Sequence, residues 1–166
     1  MIITCQGKIN LTIITAMPKL EQVEPIALMP TQGGCAVFLG NGKKVIYFFI
    51  DPSIGASING VLAQQAPERP LTHDLFMMTL ESFGAQVLRV IIVAMTDEVY
   101  FARVIFQVEN ELQERKIVEL DARPSDCIAL AVRAHCPIYV VAELWEQLPD
   151  VSNTLEEMRK AADESE

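Results

Sequence analysis

Lys116-Ile117-Val118-Glu119-Leu120-Asp121-Ala122-Arg123-Pro124-Ser125-Asp126-Cys127-Ile128-Ala129-Leu130-Ala131 is the stretch on which the reading of this chain turns. Its first five residues are rich in β-formers and read as a strand. Arg123 stands before a proline, which pushes its backbone out of the helical region. Pro124 then suits the first turn of a helix, where a missing N–H costs nothing. Ser125 is a natural cap, and the Asp126 carboxylate favours the positive end of a helix dipole. The helix runs to about His135, apolar on most sides, with Asp126, Ala129 and Arg133 on one stripe. Strand, corner and helix follow one another within twenty residues.

The same order occurs upstream. Val45–Ile50 reads as a strand, Asp51-Pro52-Ser53 as the corner and Ile54–Ala63 as the helix. Cys35–Leu39 and Lys43–Ile50 flank Gly40-Asn41-Gly42, the clearest hairpin signal in the chain. A duplicated hairpin-helix unit accounts for both halves. Two such units side by side predict an α+β fold: a mixed, largely antiparallel sheet with helices packed mainly on one face. Gly55 and Gly60 weaken the first helix, unless they let it approach the sheet closely.

Between the units, Pro70 opens a helix that Gly84 closes near Phe83. Leu71, Leu75 and Met78 line one side of it, and Phe76, Leu80 and Phe83 another. A helix apolar on two sides must bury both, one against the sheet and the other against a neighbouring helix or a subunit. Self-association into a dimer or trimer is the expectation that follows. Strands follow at Ala85–Met95 and Val99–Val108, and a short strand at Pro137–Val141 precedes a short helix, Ala142–Leu148. Met1–Met17 reads as one or two strands and Pro18–Pro25 as a polar connection. One domain is expected over residues 1–148. An acidic tail, 149–166, carries a helical signal in Asn153 with Glu156 and in the Glu156/Lys160 pair.

The chain has 166 residues, 51% of them hydrophobic, enough to build a core. No apolar run is long enough to span a bilayer, and no basic region precedes the first apolar residues; a cytoplasmic location is expected. The four cysteines are widely spaced and read as small buried hydrophobes, neither a zinc set nor a disulfide framework. The net charge is −9, from 22 acids against 13 bases. That balance opposes tight nonspecific binding of nucleic acid, which feeds on counterion release by basic groups. It leaves room for a weak contact.

Three runs together resemble the bifunctional nuclease domain family: Arg69-Pro70-Leu71-Thr72-His73-Asp74-Leu75, Tyr100-Phe101-Ala102-Arg103, and Asp121 to Ala131, with Pro137-Ile138-Tyr139-Val140 behind them. The resemblance spans about residues 26–145. It implies an α+β fold, often oligomeric, with nuclease activity on RNA and DNA, and Mg²⁺ or Mn²⁺ as cofactor. The chain departs from the family pattern at Cys127, where alanine is usual, and at Ile54, where a glutamate is usual.

Phosphodiester cleavage needs a group that moves a proton and cations that neutralise developing charge. His73 suits proton transfer. Asp74, Asp121 and Asp126 suit catalysis or metal ligation through hard oxygens. Arg69 and Arg123 suit phosphate oxygens. Each also has a structural alternative. Asp74 and Asp126 sit where helix caps sit, either arginine can pair with an aspartate to lock a corner, and His73 can be a hydrogen-bonded structural residue. A non-catalytic oligomeric binding or regulatory module is therefore the alternative function.

Overall fold

A computed structural model describes residues 18–163 apart from 32, 110, 111 and 113. The strands expected within Met1–Met17 lie outside the described residues. The chain forms a seven-stranded sheet in the order β3-β2-β1-β7-β4-β5-β6. β1 (Leu20–Thr31), β2 (Gly34–Gly40) and β3 (Val45–Ile50) make one antiparallel meander, followed by α1 (Pro52–Leu62). After α2 (Thr72–Ser82) come β4 (Ala85–Thr96), β5 (Val99–Glu109) and β6 (Arg115–Ala122), a second meander followed by α3 (Pro124–Ala134). β7 (Ile138–Val141) lies between the meanders, antiparallel to β1 and parallel to β4. The sheet is mixed and mostly antiparallel, as the two strand-corner-helix units predict. The first unit holds one strand more than the hairpin that the sequence suggests, whereas the three strands of the second are those expected.

That extra strand corrects the reading of Pro18–Pro25 as a connection. β1 is twelve residues long and serves two neighbours: Leu20–Val23 pair with β7, and Glu24 onward pair with β2. The register shifts between Pro25 and Ala27. A bulge is where a strand tolerates a residue with no N–H to donate, so Pro25 bends β1 without ending it.

The sheet curls. Five strand spacings separate β3 from β5, about 24 Å in a flat sheet, yet the Phe48 and Tyr100 rings lie 5.2 Å apart. Inside the curl, Val37, Leu39, Ile46, Val90, Ile92 and Val104 pack against Ile58 of α1 and Cys127, Ile128 and Ala131 of α3. Leu144 and Trp145 of α4 (Ala142–Gln147) join the same core. Gly55 confirms its expected role: a Cβ there would come within 2.6 Å of the Cys35 sulfur. The bare backbone lets α1 sit directly on β2. Gly60 has no such neighbour.

The acidic tail is a helix, α5 (Ser152–Asp163), packed on the opposite face of the sheet. Leu155, only 3% exposed, contacts the small cluster of Ala36 and Phe38 on β2. Asp150 rather than Asn153 begins the helix: its Oδ1 accepts from the Ser152 N–H at 3.0 Å and from the Val45 N–H at 3.1 Å. Arg159 rather than Lys160 anchors it, donating to the Ile26 carbonyl at 3.0 Å. We expect Leu155→Ala to lower stability by about 2–3 kcal/mol in urea denaturation, the cost of emptying a buried leucine site; an unchanged midpoint would mean the helix is not docked.

Candidate active site

α1 and α3 run side by side in the same direction. Their first turns line one cleft, and their last turns line another at the far end of the pair. The first turn of α2 opens on the same cleft, which holds about 680 Å³. Asp51, Ser53 and Ile54 come from α1, Pro70 to His73 from the entry to α2, and Arg123 and Asp126 from α3. Three helix N-termini thus converge, and each brings a partial positive charge and outward N–H groups. Asp51 caps α1 by accepting from the Ser53 N–H at 2.8 Å. Leu71 and Arg123, the N-cap residues of α2 and α3, offer no side-chain acceptor to the amides that follow them.

Within the cleft, Asp126 joins His73 and Arg123. Its Oδ1 lies 3.2 Å from His73 Nε2, and its Oδ2 accepts from Arg123 Nε at 2.7 Å. A second Arg123 nitrogen reaches Oδ1 at 3.3 Å, so the arginine grips the carboxylate with two donors. Burial pushes the Asp126 carboxyl up, but hydrogen bonds from Arg123 and His73 and the arginine's charge outweigh it; the net shift is downward. Asp126 is therefore an anion at neutral pH. The His73 side chain is 16% exposed, whereas that of Arg123 is 71% exposed and open to a ligand. Asp51 adds a second carboxylate near Arg123, held low chiefly by the Ser53 hydroxyl and amide.

The remaining expected site residues are placed elsewhere. Asp74 begins α2 beside His73, but its Oδ1 accepts from Arg133 Nε at 2.6 Å and its Oδ2 from the Leu71 N–H at 2.8 Å. Arg133 is 7% exposed. It also donates to Ser57 Oγ and to the Ala129 carbonyl, both at 2.9 Å, and so ties α1, α2 and α3 together. Asp121 lies on β6 opposite Arg103, exposed and outside the cleft lining. Arg69 is exposed in the bend before α2, likewise outside the lining. The expected ligand set of Asp74, Asp121 and Asp126 does not gather: among the described residues no three metal-binding side chains cluster. The reason is local, since Asp74 already bonds a buried guanidinium and Asp121 precedes the corner that Asp126 follows. Ile54, where the resemblance leads to the expectation of a glutamate, is 8% exposed and packs in the core.

Residues 38–151 match the Bifunctional nuclease domain, a span that includes every residue of the cleft. The chain belongs to the bifunctional nuclease domain family. Uncharacterised proteins from two strains of Mycobacterium tuberculosis are each 34% identical to it over 132 residues, 76% of this chain and 73% of theirs. Within this family member, Asp51 and Arg133 are the cleft-building residues that the sequence reading passed over as site groups. The acid-Pro-Ser pattern shared by both halves was the available signal for Asp51. The polar stripe of the third helix includes Arg133, but its partners on the other two helices, 59 and 76 residues away, carry no local signal.

Asp74 gives the network a pH dependence. Its burial raises the carboxyl pKa, but Arg133 and the Leu71 N–H more than reverse this, so the folded value lies below the ordinary one. A lowered folded pKa contributes stability above the unfolded value of about 3.9 and loses it as pH falls through the folded value. The melting temperature should therefore drop as pH falls below about 4. Arg133→Met should cost on the order of 3 kcal/mol at pH 7, because it leaves Asp74 and Ser57 without their donor. It should also shrink the acid-side drop; a full-sized drop in the variant would show that other groups cause it.

Proposed function

We propose that the cleft binds the phosphate of an RNA or DNA backbone and that the chain is a nuclease, a hydrolase of phosphodiester bonds. The observation that carries this reading is the convergence of three helix N-termini on one cleft that also holds His73, Asp126 and Arg123. Helix N-termini attract phosphate through free amides and dipole together. The exposed Arg123 adds a full charge that can face two phosphate oxygens. Family membership supports the same reaction class.

In this proposal, Asp126 accepts from His73 Nε2–H, which leaves Nδ1 as the basic nitrogen. Nδ1 takes a proton from water as the water oxygen bonds to phosphorus. The bond from phosphorus to the leaving oxygen breaks, and His73 returns the proton to that oxygen. Arg123 and the first-turn amides of α2 and α3 hold the charge that builds on the phosphoryl oxygens. Mg²⁺ or Mn²⁺ on Asp74, Asp121 and Asp126 does not fit this arrangement, and no step is assigned to a metal. With a net charge of −9, binding of nucleic acid should be weak and should weaken further with salt.

With short single-stranded RNA and DNA as substrates, His73→Ala should lower kcat at least 100-fold, in the range for loss of a general base. Arg123→Ala should raise KM, and Asp121→Asn should leave both constants within about twofold. Equal activity in the native chain and His73→Ala would defeat the assignment.

The second reading, a non-catalytic oligomeric module, rests on different residues. Leu71, Leu75, Phe76 and Met78 are exposed on and beside α2, and Tyr47 and Phe49 on β3. Such a module would self-associate, as a dimer or trimer, through these surfaces. The His73–Asp126 pair would then be a tie between helices. A cytoplasmic setting suits either reading: Cys35, Cys127 and Cys136 are free, and burial pushes the last two up to about 12 and about 11. Among the described residues no helix is long and apolar enough to cross a membrane.

A further inference from the structure

β3 is an edge strand, Val45-Ile46-Tyr47-Phe48-Phe49-Ile50, with neither a charge nor a proline to protect its open side. In an antiparallel strand each residue turns its N–H and C=O to the same side, and the side alternates along the chain. Val45 fixes the phase. Its N–H donates to Asp150 Oδ1 and its carbonyl accepts from the Val151 N–H, so Val45 faces away from β2. Tyr47 and Phe49 must face the same way. Among the described residues, nothing bonds their backbone groups. Their side chains lie on the exposed face, 37% and 63% accessible, and the two rings meet edge to face at 5.4 Å.

We propose that this edge pairs with the same edge of a second copy, joining two sheets through a two-fold axis at Phe48. The proposal rests on the self-association suggested above and assigns it a surface and a register. The Asp150–Val151 segment closes the edge at Val45, and α1 ends it after Ile50. The open stretch, Ile46–Ile50, is therefore centred on Phe48. Only one antiparallel register satisfies both free residues: Tyr47 of each copy opposite Phe49 of the other, with four backbone hydrogen bonds. Centring on Tyr47 would set Phe49 against Val45, whose groups are already bonded. Centring on Phe49 would set Tyr47 against Asp51, beyond the strand. In the favoured register the two edge-to-face pairs become one four-ring cluster on one side of the joined sheet.

Charge agrees with this register. Val45 comes opposite Asp51 of the other copy, which carries the exposed Lys43 end of each hairpin toward an aspartate. Lys44 is held at home, donating to the Trp145 carbonyl with its ammonium 5.3 Å from the centre of the Trp145 ring. A peptide strand from another protein could use the same backbone groups, but it would lack this matched pair of ends. A contact this short is expected to be weak and to come apart on dilution.

Sedimentation of the full chain at about 100 μM should give twice the chain mass of 18.5 kDa, falling to the single mass on dilution. Tyr47→Lys and Phe49→Lys, both at exposed positions, should sediment as folded monomers at that concentration, with the circular dichroism of the native chain. Amide exchange supplies a readout that does not depend on a variant. The Tyr47 and Phe49 amides should slow at least tenfold between 1 and 100 μM protein, while Ile46 and Phe48, already bonded to β2, stay unchanged. A native chain that is monomeric at 100 μM overturns the proposal. So does a dimer in which Tyr47 and Phe49 exchange at the same rate at both concentrations, or one that Leu75→Lys on α2 dissociates and Phe49→Lys does not. None of these outcomes bears on the nuclease reading, which the His73→Ala assay decides separately.

Discussion

The buried Arg133 guanidinium holds the arrangement on which the cleft depends. It lies on the third helix, bonds its own helix at Ala129, and reaches Ser57 on the first and Asp74 on the second. A guanidinium has donors in a fixed fork, so three acceptors on three helices constrain both spacing and rotation. Lysine could not do the same. Removed from water, this charge needs all of its partners, and the helices are held where those partners are satisfied. Their N-termini then point into one space.

That space is electrostatically mixed. Two aspartates line it in a chain that is already strongly acidic, a poor start for an anion site. Each carboxylate is answered locally, however. Arg123 grips Asp126 with two donors, and the amide and hydroxyl of Ser53 bond Asp51. The first-turn amides of the second and third helices and the outer part of Arg123 are left for an incoming group. Asp126 orients both His73 and Arg123, so one carboxylate sets the positions of the proposed proton carrier and of the cation. The Pro-Ser corners explain how two strands deliver these residues: a proline fixes the first helical turn just where the strand ends.

Much of this was legible along the chain. The Asn41-Gly42 hairpin, both proline corners, Gly84 at the end of the second helix (φ 67°) and the Gly55 contact all follow from local rules. The family motifs supplied six candidate site residues, of which His73, Arg123 and Asp126 meet in the cleft. The departures have a common cause. The first half of β1, read as a connection, becomes strand because β2 and β7 claim the two halves of β1. The fifth helix docks because the sheet presents a second apolar patch at Ala36 and Phe38. Asp74 leaves the site because Arg133, distant in sequence, is nearer in space. Contacts across a curled sheet and between parallel helices carry no mark in local sequence.

The central claim is that the N-termini of the second and third helices and Arg123 form a phosphate site around His73 and Asp126. Titrating ¹⁵N-labelled protein with a phosphorothioate-linked RNA dinucleotide, which resists cleavage, tests it most directly. The account predicts that the amides of Thr72, His73, Ser125 and Asp126 shift together along one saturable curve, and that Arg123→Ala weakens that curve. Saturable shifts confined to another surface, or no shifts in the first turns of the second and third helices at millimolar ligand, would contradict it.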